Sequence, residues 1–204
     1  MSFLSKVMVK PWEHAGELDD LRDDSVTNRA VSWTGLFALL AVISSMFLLF
    51  IISYYTRSQY PDWEIMNDPG ILWINTFILL LASVALQLAS NAAKQAAWVR
   101  LRYALLAGAA LTVLFVAGQL EAWDQLISEG YYAQENPANA FFYLFTGLHA
   151  LHLIGGLWFM LILAFRLKRK EKNEALQQSV ALCATYWHYL LLVWLILFTL
   201  FMRT

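Results

Sequence analysis

The sequence of 204 residues has the composition of an integral membrane protein. Apolar residues make up 60% and charged residues 14%, whereas soluble domains average about 45–50% and about 25%; the mean hydropathy is +0.53. These values exclude a soluble globular domain and a disordered chain. The single cysteine, Cys183, cannot form an internal disulfide, and the net charge of −1 argues against nucleic acid as a partner.

The N-terminal segment 1–29 does not resemble a secretory signal peptide. Acidic residues together with Pro11 and Trp12 interrupt any apolar stretch within it. We expect a tail, which the distribution of basic residues places on the cytoplasmic side and which either docks on a partner or is only solvated.

Five stretches without Asp, Glu, Lys or Arg follow this tail, and each predicts a transmembrane helix. A helix needs about 20 apolar residues to cross the hydrocarbon core, and the stretches lack the apolar–polar alternation of barrel strands. The stretch 103–120 is barely long enough, so we expect that helix to continue past Glu121. The prediction is an all-α membrane bundle, with residues 30–204 as one domain. The predicted spans are 30–54, 71–93, 103–125, 138–165 and 175–202.

The distribution of basic residues predicts the orientation of the bundle. Twelve of the 14 Lys and Arg residues lie in the N-terminal tail or in the loops after spans two and four, and only Arg57 and Arg203 lie on the other side. Cytoplasmic loops carry the excess of basic residues. The N-terminus is therefore predicted to be cytoplasmic and the C-terminus to lie outside.

Spans two and three contain polar residues at or near membrane depth. Asn75, Thr76 and Gln119 are expected to bond to neighbouring helices, at about 0.6 kcal/mol per contact. Glu121 lies near the outer end of span three, either as an acid in interfacial water or as part of a proton antenna. Trp123 fits an aromatic belt.

Spans four and five carry the three histidines at membrane depth. His149 and His152 are three residues apart on one helix face, and His188 lies in the middle of span five. Buried imidazoles are costly and need partners. They can form hydrogen bonds between helices, to lipid head groups or to water, which we favour. Alternatively, His188 and either His149 or His152 ligate a b-type heme, or the three serve metal or proton transport.

No catalytic motif accompanies these histidines. The sequence contains no Gly-rich phosphate loop, no Cys-x-x-Cys and no His-Glu-x-x-His. We therefore expect that the chain performs no bond-making chemistry of its own and holds no cofactor or metal.

Four segments in the same order resemble subunit III of the heme–copper terminal oxidases, above all bacterial cytochrome c oxidase subunit III. Residues 146–156, Thr-Gly-Leu-His-Ala-Leu-His-Leu-Ile-Gly-Gly, are similar to the family's two-histidine signature, and Tyr-Trp-His-Tyr at 186–189 resembles that of its last helix. The Asn75–Thr76 pair and the pair of Gln119 and Trp123 resemble the other two. The resemblance covers about residues 30–202. Leu191 departs from it, because the family usually has an aspartate there.

The resemblance implies an accessory subunit without redox groups. In this family the hemes and copper belong to partner subunits, the catalytic subunit I and subunit II, and the complex reduces oxygen to water and pumps protons across the bacterial inner membrane. Subunit III is thought to bind phospholipid, support proton uptake and protect the catalytic subunit during turnover. Shorter members have five helices and a cytoplasmic N-terminus. The electron donor is cytochrome c or, in the alternative, a quinol.

The resemblance also implies roles for individual residues. Three basic residues around the second loop, Lys94, Arg100 and Arg102, either pair with lipid phosphates or act only as topology signals. Spans one and two would form one side of a lipid-holding cleft, and spans three to five the other. The structural or lipid-cleft candidates are His149, His152, His188, Trp187, Tyr186, Asn75, Thr76, Gln119, Trp123 and Glu121.

Overall fold

The structure, a computed structural model, describes residues 24–63, 70–169 and 173–202 and contains no strand within them. It consists of five long helices, each long and apolar enough to span a membrane. The predicted all-helical, five-span fold is thus confirmed, and the chain is a multi-pass membrane protein. The helices are α1 (Asp24–Arg57), α2 (Ile71–Lys94), α3 (Trp98–Ser128), α4 (Pro137–Lys168) and α5 (Glu174–Phe201).

Most of the helices extend beyond the predicted spans. The helix α3 continues past Glu121 to Ser128, as expected, and α1 already begins at Asp24. Two helices have asparagine caps: Asn136 accepts a hydrogen bond from the backbone of Ala138 at the start of α4, and Asn173 caps α5. The first 23 residues of the predicted tail, including His14, lie outside the described residues.

The buried side chains follow a heptad-like spacing of three and four residues. Such a stripe is typical of helices that pack at shallow angles with interlocking side chains. Polar residues occupy positions on the stripe, so the core is not purely apolar. In α3 the buried residues are Leu101, Leu105, Gly108, Thr112, Phe115, Gln119, Ala122 and Leu126.

The helix α2 packs closely against α3 and α5. Glycines of α3 allow this approach, since an added Cβ at Gly118 would overlap the side-chain amide of Asn75 and one at Gly108 would meet Leu86. The implied cleft, with α1 and α2 together on one side, is therefore wrong for this chain. The glycines of α3 let α2 pack closely on α3, and α2 also packs on α5.

Contacts divide the chain into two units, Met1–Leu39 and Leu40–Thr204, with the division inside α1. In the first unit, Trp33 and Phe37 stack at 5.9 Å. In the second, the α1 segment from Leu40 reaches α4 and α5 through side chains. Phe47 stacks on Phe145 at 6.5 Å, and the hydroxyls of Ser44 and Tyr189 are 2.8 Å apart.

Candidate functional site

Three indole-to-threonine hydrogen bonds join four helices in the bundle core. In each, a tryptophan Nε1–H donates to a threonine hydroxyl on another helix. Together they link α5 to α2, α5 to α3 and α3 to α4. The bonds are Trp194 to Thr76 at 2.9 Å, Trp187 to Thr112 at 3.2 Å and Trp123 to Thr146 at 3.0 Å.

Each of these threonines donates its own hydroxyl hydrogen to the carbonyl four residues earlier in its helix. The acceptors are the carbonyls of Leu72, Gly108 and Phe142, at 2.8, 2.8 and 2.7 Å. The hydroxyl oxygen is thereby left to accept from the indole. Every donor in the three pairs has an acceptor, as a membrane interior requires.

Trp187 fills a space that a glycine leaves open. Its indole is fully buried and lies over Gly156 of α4, where an added Cβ would overlap the indole ring. The adjacent Tyr186 donates from its hydroxyl to the backbone carbonyl of His152 at 3.1 Å. These contacts fasten α5 to α4 over one helical turn.

His149 lies at the centre of the core among aromatic rings. The side chain is 0% exposed, with its ring 5.9 Å from that of Phe115 and 5.3 Å from that of Trp194. Neither ring nitrogen has a hydrogen-bond partner. Both polar atoms of the buried Gln119 side chain and the Nδ2 of Asn75 share this condition.

His152 occupies a different environment, towards α1. Its Nδ1 lies 2.7 Å from the carbonyl oxygen of Leu148, which can only accept, so Nδ1 carries the hydrogen. The imidazole packs at 5.8 Å on the ring of Phe47.

His188 faces α2 and closes a chain of polar side chains. Its Nε2 lies 2.9 Å from Oε1 of Gln87, and its Nδ1 lies 2.5 Å from the hydroxyl of Ser83. Because the amide oxygen can only accept, Nε2 donates and Nδ1 accepts from Ser83. Gln87 in turn donates to Oδ1 of Asn91 at 3.3 Å.

The three imidazoles thus lie in three different environments. His188 uses both ring nitrogens on α2, whereas His149 lies against Phe115 and Trp194. No group of three His, Cys, Asp or Glu side chains that could hold a metal occurs among the described residues.

The charged candidates lie away from the core. Lys94 ends α2, and Arg100 and Arg102 lie in the first turns of α3, so all three are at the same end of the bundle and exposed. Glu121 is exposed as well. At the end of α1, Arg57 forms an ion pair with Asp62 in the segment that follows.

Sequence reasoning missed Thr112 and Ser83. Thr112 receives Trp187, and Ser83 donates to His188. The available signal was the heptad spacing, since Thr112 lies seven residues before Gln119 on the stripe of α3. A polar residue at such a position has to find a partner across the helix interface.

Comparison with known proteins agrees with this architecture. The family model of cytochrome c oxidase subunit III matches residues 34–203. The chain belongs to that family. It is a subunit III of a heme–copper terminal oxidase, which confirms the resemblance drawn from the two-histidine and last-helix signatures.

Individual relatives support the assignment. The chain is 28% identical to cytochrome c oxidase subunit 3 of Thermostichus vulcanus over 92% of its own length and 90% of the relative's. It is 25% identical to cytochrome bo(3) ubiquinol oxidase subunit 3 of Pseudomonas aeruginosa over 96% and 94%. A probable cytochrome c oxidase subunit 3 of Nocardia farcinica is 31% identical over 60% of the chain and 61% of the relative.

Proposed function

We propose that the chain is the accessory, non-redox subunit of a proton-pumping oxidase that reduces oxygen to water in the bacterial inner membrane, with a cytoplasmic N-terminus. Its partners are the catalytic subunit I and subunit II, which hold the heme and copper. In this role the chain stabilises the catalytic subunit during turnover and supports proton uptake. The placement of the histidines supports the absence of a redox centre, because His188 has both nitrogens in hydrogen bonds and His149 is enclosed by aromatic rings.

The observation that carries the proposal is the polar chain on the surface of α2. Gln87 and Asn91 are exposed on the helix. At a rise of 1.5 Å per residue, Gln87 lies about 10 Å from the end of α2 at Lys94, within the depth of the hydrocarbon core. Polar groups facing lipid at this depth are costly. A partner subunit that covers them removes the cost.

The hydrogen-bonding capacity of this face indicates what the partner presents. The amide oxygen of Gln87 is used by His188, and that of Asn91 by Gln87. The unused donors at the surface are one N–H of Gln87 and both N–H groups of Asn91, next to one free lone pair on each amide oxygen, so donors predominate. We expect the catalytic subunit to place acceptors here, such as hydroxyl, carbonyl or carboxylate oxygens.

The exposed basic residues at the same end of the bundle support phospholipid binding. Lys94, Arg100 and Arg102 lie at the end of α2 and the start of α3. Basic side chains next to the membrane are attracted to an anionic leaflet by about 1 kcal/mol each. We propose that they bind lipid phosphates on the cytoplasmic side.

For the electron donor we propose cytochrome c, in keeping with the family description and the relative from Thermostichus vulcanus. The ubiquinol oxidase subunit of Pseudomonas aeruginosa favours a quinol instead. Oxygen consumption by the purified complex, with reduced cytochrome c and with ubiquinol in parallel, decides between them.

Co-purification of a double variant tests the docking face. We expect Gln87→Leu/Asn91→Leu to reach the membrane but to separate from the catalytic subunit in mild detergent, because the amide N–H groups that would donate hydrogen bonds to that subunit are gone. The matched control is Thr199→Val, an exposed threonine of α5 whose hydroxyl bonds only to the carbonyl of Leu195 at 2.7 Å. This variant should co-purify as the unchanged chain does.

Two results would count against the proposal. If the double variant co-purifies in unchanged proportion, the partner binds another face. If the unchanged chain purifies alone with a heme α-band on reduction, and the band is lost in His188→Ala, the b-type cytochrome alternative replaces the accessory role.

A further inference from the structure

Most of the buried polar atoms without partners lie in one region of the core. Among the described residues they include both ring nitrogens of His149, both amide atoms of Gln119 and the Nδ2 of Asn75. The exposed fractions of these side chains are 0%, 1% and 1%. A single unpaired polar atom would have only local significance. Here three side chains from α2, α3 and α4 are unpaired together, which indicates a common hydrogen-bond partner.

The contacts of their neighbours place the three side chains together. Phe115 touches the ring of His149, and Gln119 lies one helical turn further along the same buried face of α3. The amide of Asn75 lies against Gly118, the residue next to Gln119. The three polar groups therefore lie near one another in the interior of the bundle, where α3 packs against both α2 and α4.

The surrounding protein donors are already committed. The Nε1–H of Trp194, whose ring touches His149, donates to Thr76. The hydroxyl hydrogens of Thr76, Thr112 and Thr146 all go to carbonyls of their own helices. None of these groups can donate to His149 or to the amide oxygen of Gln119.

A direct bond between Gln119 and His149 would not suffice. It would use one ring nitrogen and one amide atom, and would leave the second ring nitrogen, the second amide atom and the Nδ2 of Asn75 unpaired. A water molecule both donates and accepts, and buried waters typically make about three hydrogen bonds to such groups. Water therefore matches a neutral imidazole beside two carboxamides.

We propose that Gln119, His149 and Asn75 form an internal hydration site that binds at least one ordered water molecule between α2, α3 and α4. The water bridges the imidazole of His149 to the amide of Gln119, and the Nδ2 of Asn75 donates to it or to a second water. The site adds a polar tie between three helices to the indole–threonine pairs.

A density map of the intact oxidase, at a resolution that shows ordered water, tests the site directly. We expect a water peak about 2.7–3.2 Å from a ring nitrogen of His149 and from an amide atom of Gln119. A direct Gln119–His149 bond with no peak beside it, or close apolar packing around both, overturns the proposal.

A double-mutant cycle provides a second, energetic test. Gln119→Leu and His149→Phe should each speed the loss of this subunit from the detergent-solubilised complex about tenfold, because each leaves bridged polar groups unpaired. The double variant should be far less than a hundredfold faster, since it removes both ends of the bridge. Gln119→Leu with His152→Phe is the matched control and should be additive, because His152 lies towards α1. Additive effects for Gln119 and His149 would overturn the bridge, and if a variant fails to assemble, the map of the unchanged oxidase decides alone.

Discussion

Two adjacent glycines of α4 are predicted to respond in opposite ways to the same substitution. In Gly156→Ala the new methyl group would overlap the buried ring of Trp187, which cannot retreat easily because its Nε1 is held by Thr112 at 3.2 Å and Tyr186 packs beside it. At Gly155 no atom lies within 4 Å of the added methyl group. The first substitution should therefore destabilise the subunit, and the second should not.

The magnitude follows from three contributions. Overpacking of a core costs about 1–3 kcal/mol, and loss of the indole–threonine bond, should the ring shift, costs about 1 kcal/mol more. Replacing a helical glycine by alanine gains up to about 1 kcal/mol. Gly156→Ala should thus be less stable by roughly 1–3 kcal/mol, a factor of about 5–150 in the folding equilibrium. Gly155→Ala should be unchanged or slightly more stable.

The assay is the resistance of the subunit in the purified oxidase to unfolding by heat or by denaturing detergent, measured for both variants side by side. A third variant tests the mechanism: in a Trp187→Phe background the ring is smaller, so Gly156→Ala should cost less than in the unchanged chain. If Gly156→Ala behaves like Gly155→Ala, or if the Phe background gives no relief, the packing of Trp187 on Gly156 is refuted.

Three further predictions concern other parts of the molecule. Thr76→Val should lower subunit stability by about 1–3 kcal/mol, because the buried Nε1–H of Trp194 loses its acceptor. Thr199→Val should change the stability by no more than about 0.5 kcal/mol. Equal effects of the two variants in the same unfolding assay would contradict this prediction. Replacing Lys94, Arg100 and Arg102 by glutamine should lower the anionic phospholipid that co-purifies, measured as bound phosphorus. The control Arg57→Gln should not lower it, because Arg57 lies at the opposite end of the bundle and pairs with Asp62. Unchanged phosphorus in the triple variant would argue that the three residues are topology signals only. Arg57 holds the pKa of Asp62 below its ordinary value through a side-chain hydrogen bond. The ion pair should therefore persist at pH 5 and be lost only as the pH falls through that lowered pKa. The chemical shift of the Asp62 carboxyl carbon reports this titration, and a midpoint above the ordinary aspartate pKa of about 3.9 would contradict the pairing.

Local sequence determined the helical architecture of this protein. The thickness of the hydrocarbon core and the cost of burying charge require long uncharged stretches. All five spans, from the first at 30–54 to the last at 175–202, could therefore be predicted without any knowledge of packing. The family followed from short motifs, among them the two histidines of α4 and the Tyr-Trp-His segment of α5. Each of these features depends on residues that are contiguous in the sequence.

The partners of the polar side chains were decided only by the tertiary structure. Whether His188 faces His149 or Ser83 depends on the rotation of α5 and on which helix lies against it. The packing of Trp187 on Gly156 of α4 restricts that rotation. The packing of the helices also determines that Trp187 bonds to Thr112 and that His149 lies among aromatic rings. It likewise places α2 against α3 and α5 rather than against α1. Such pairings join residues far apart in the chain, and no periodicity within one helix specifies them.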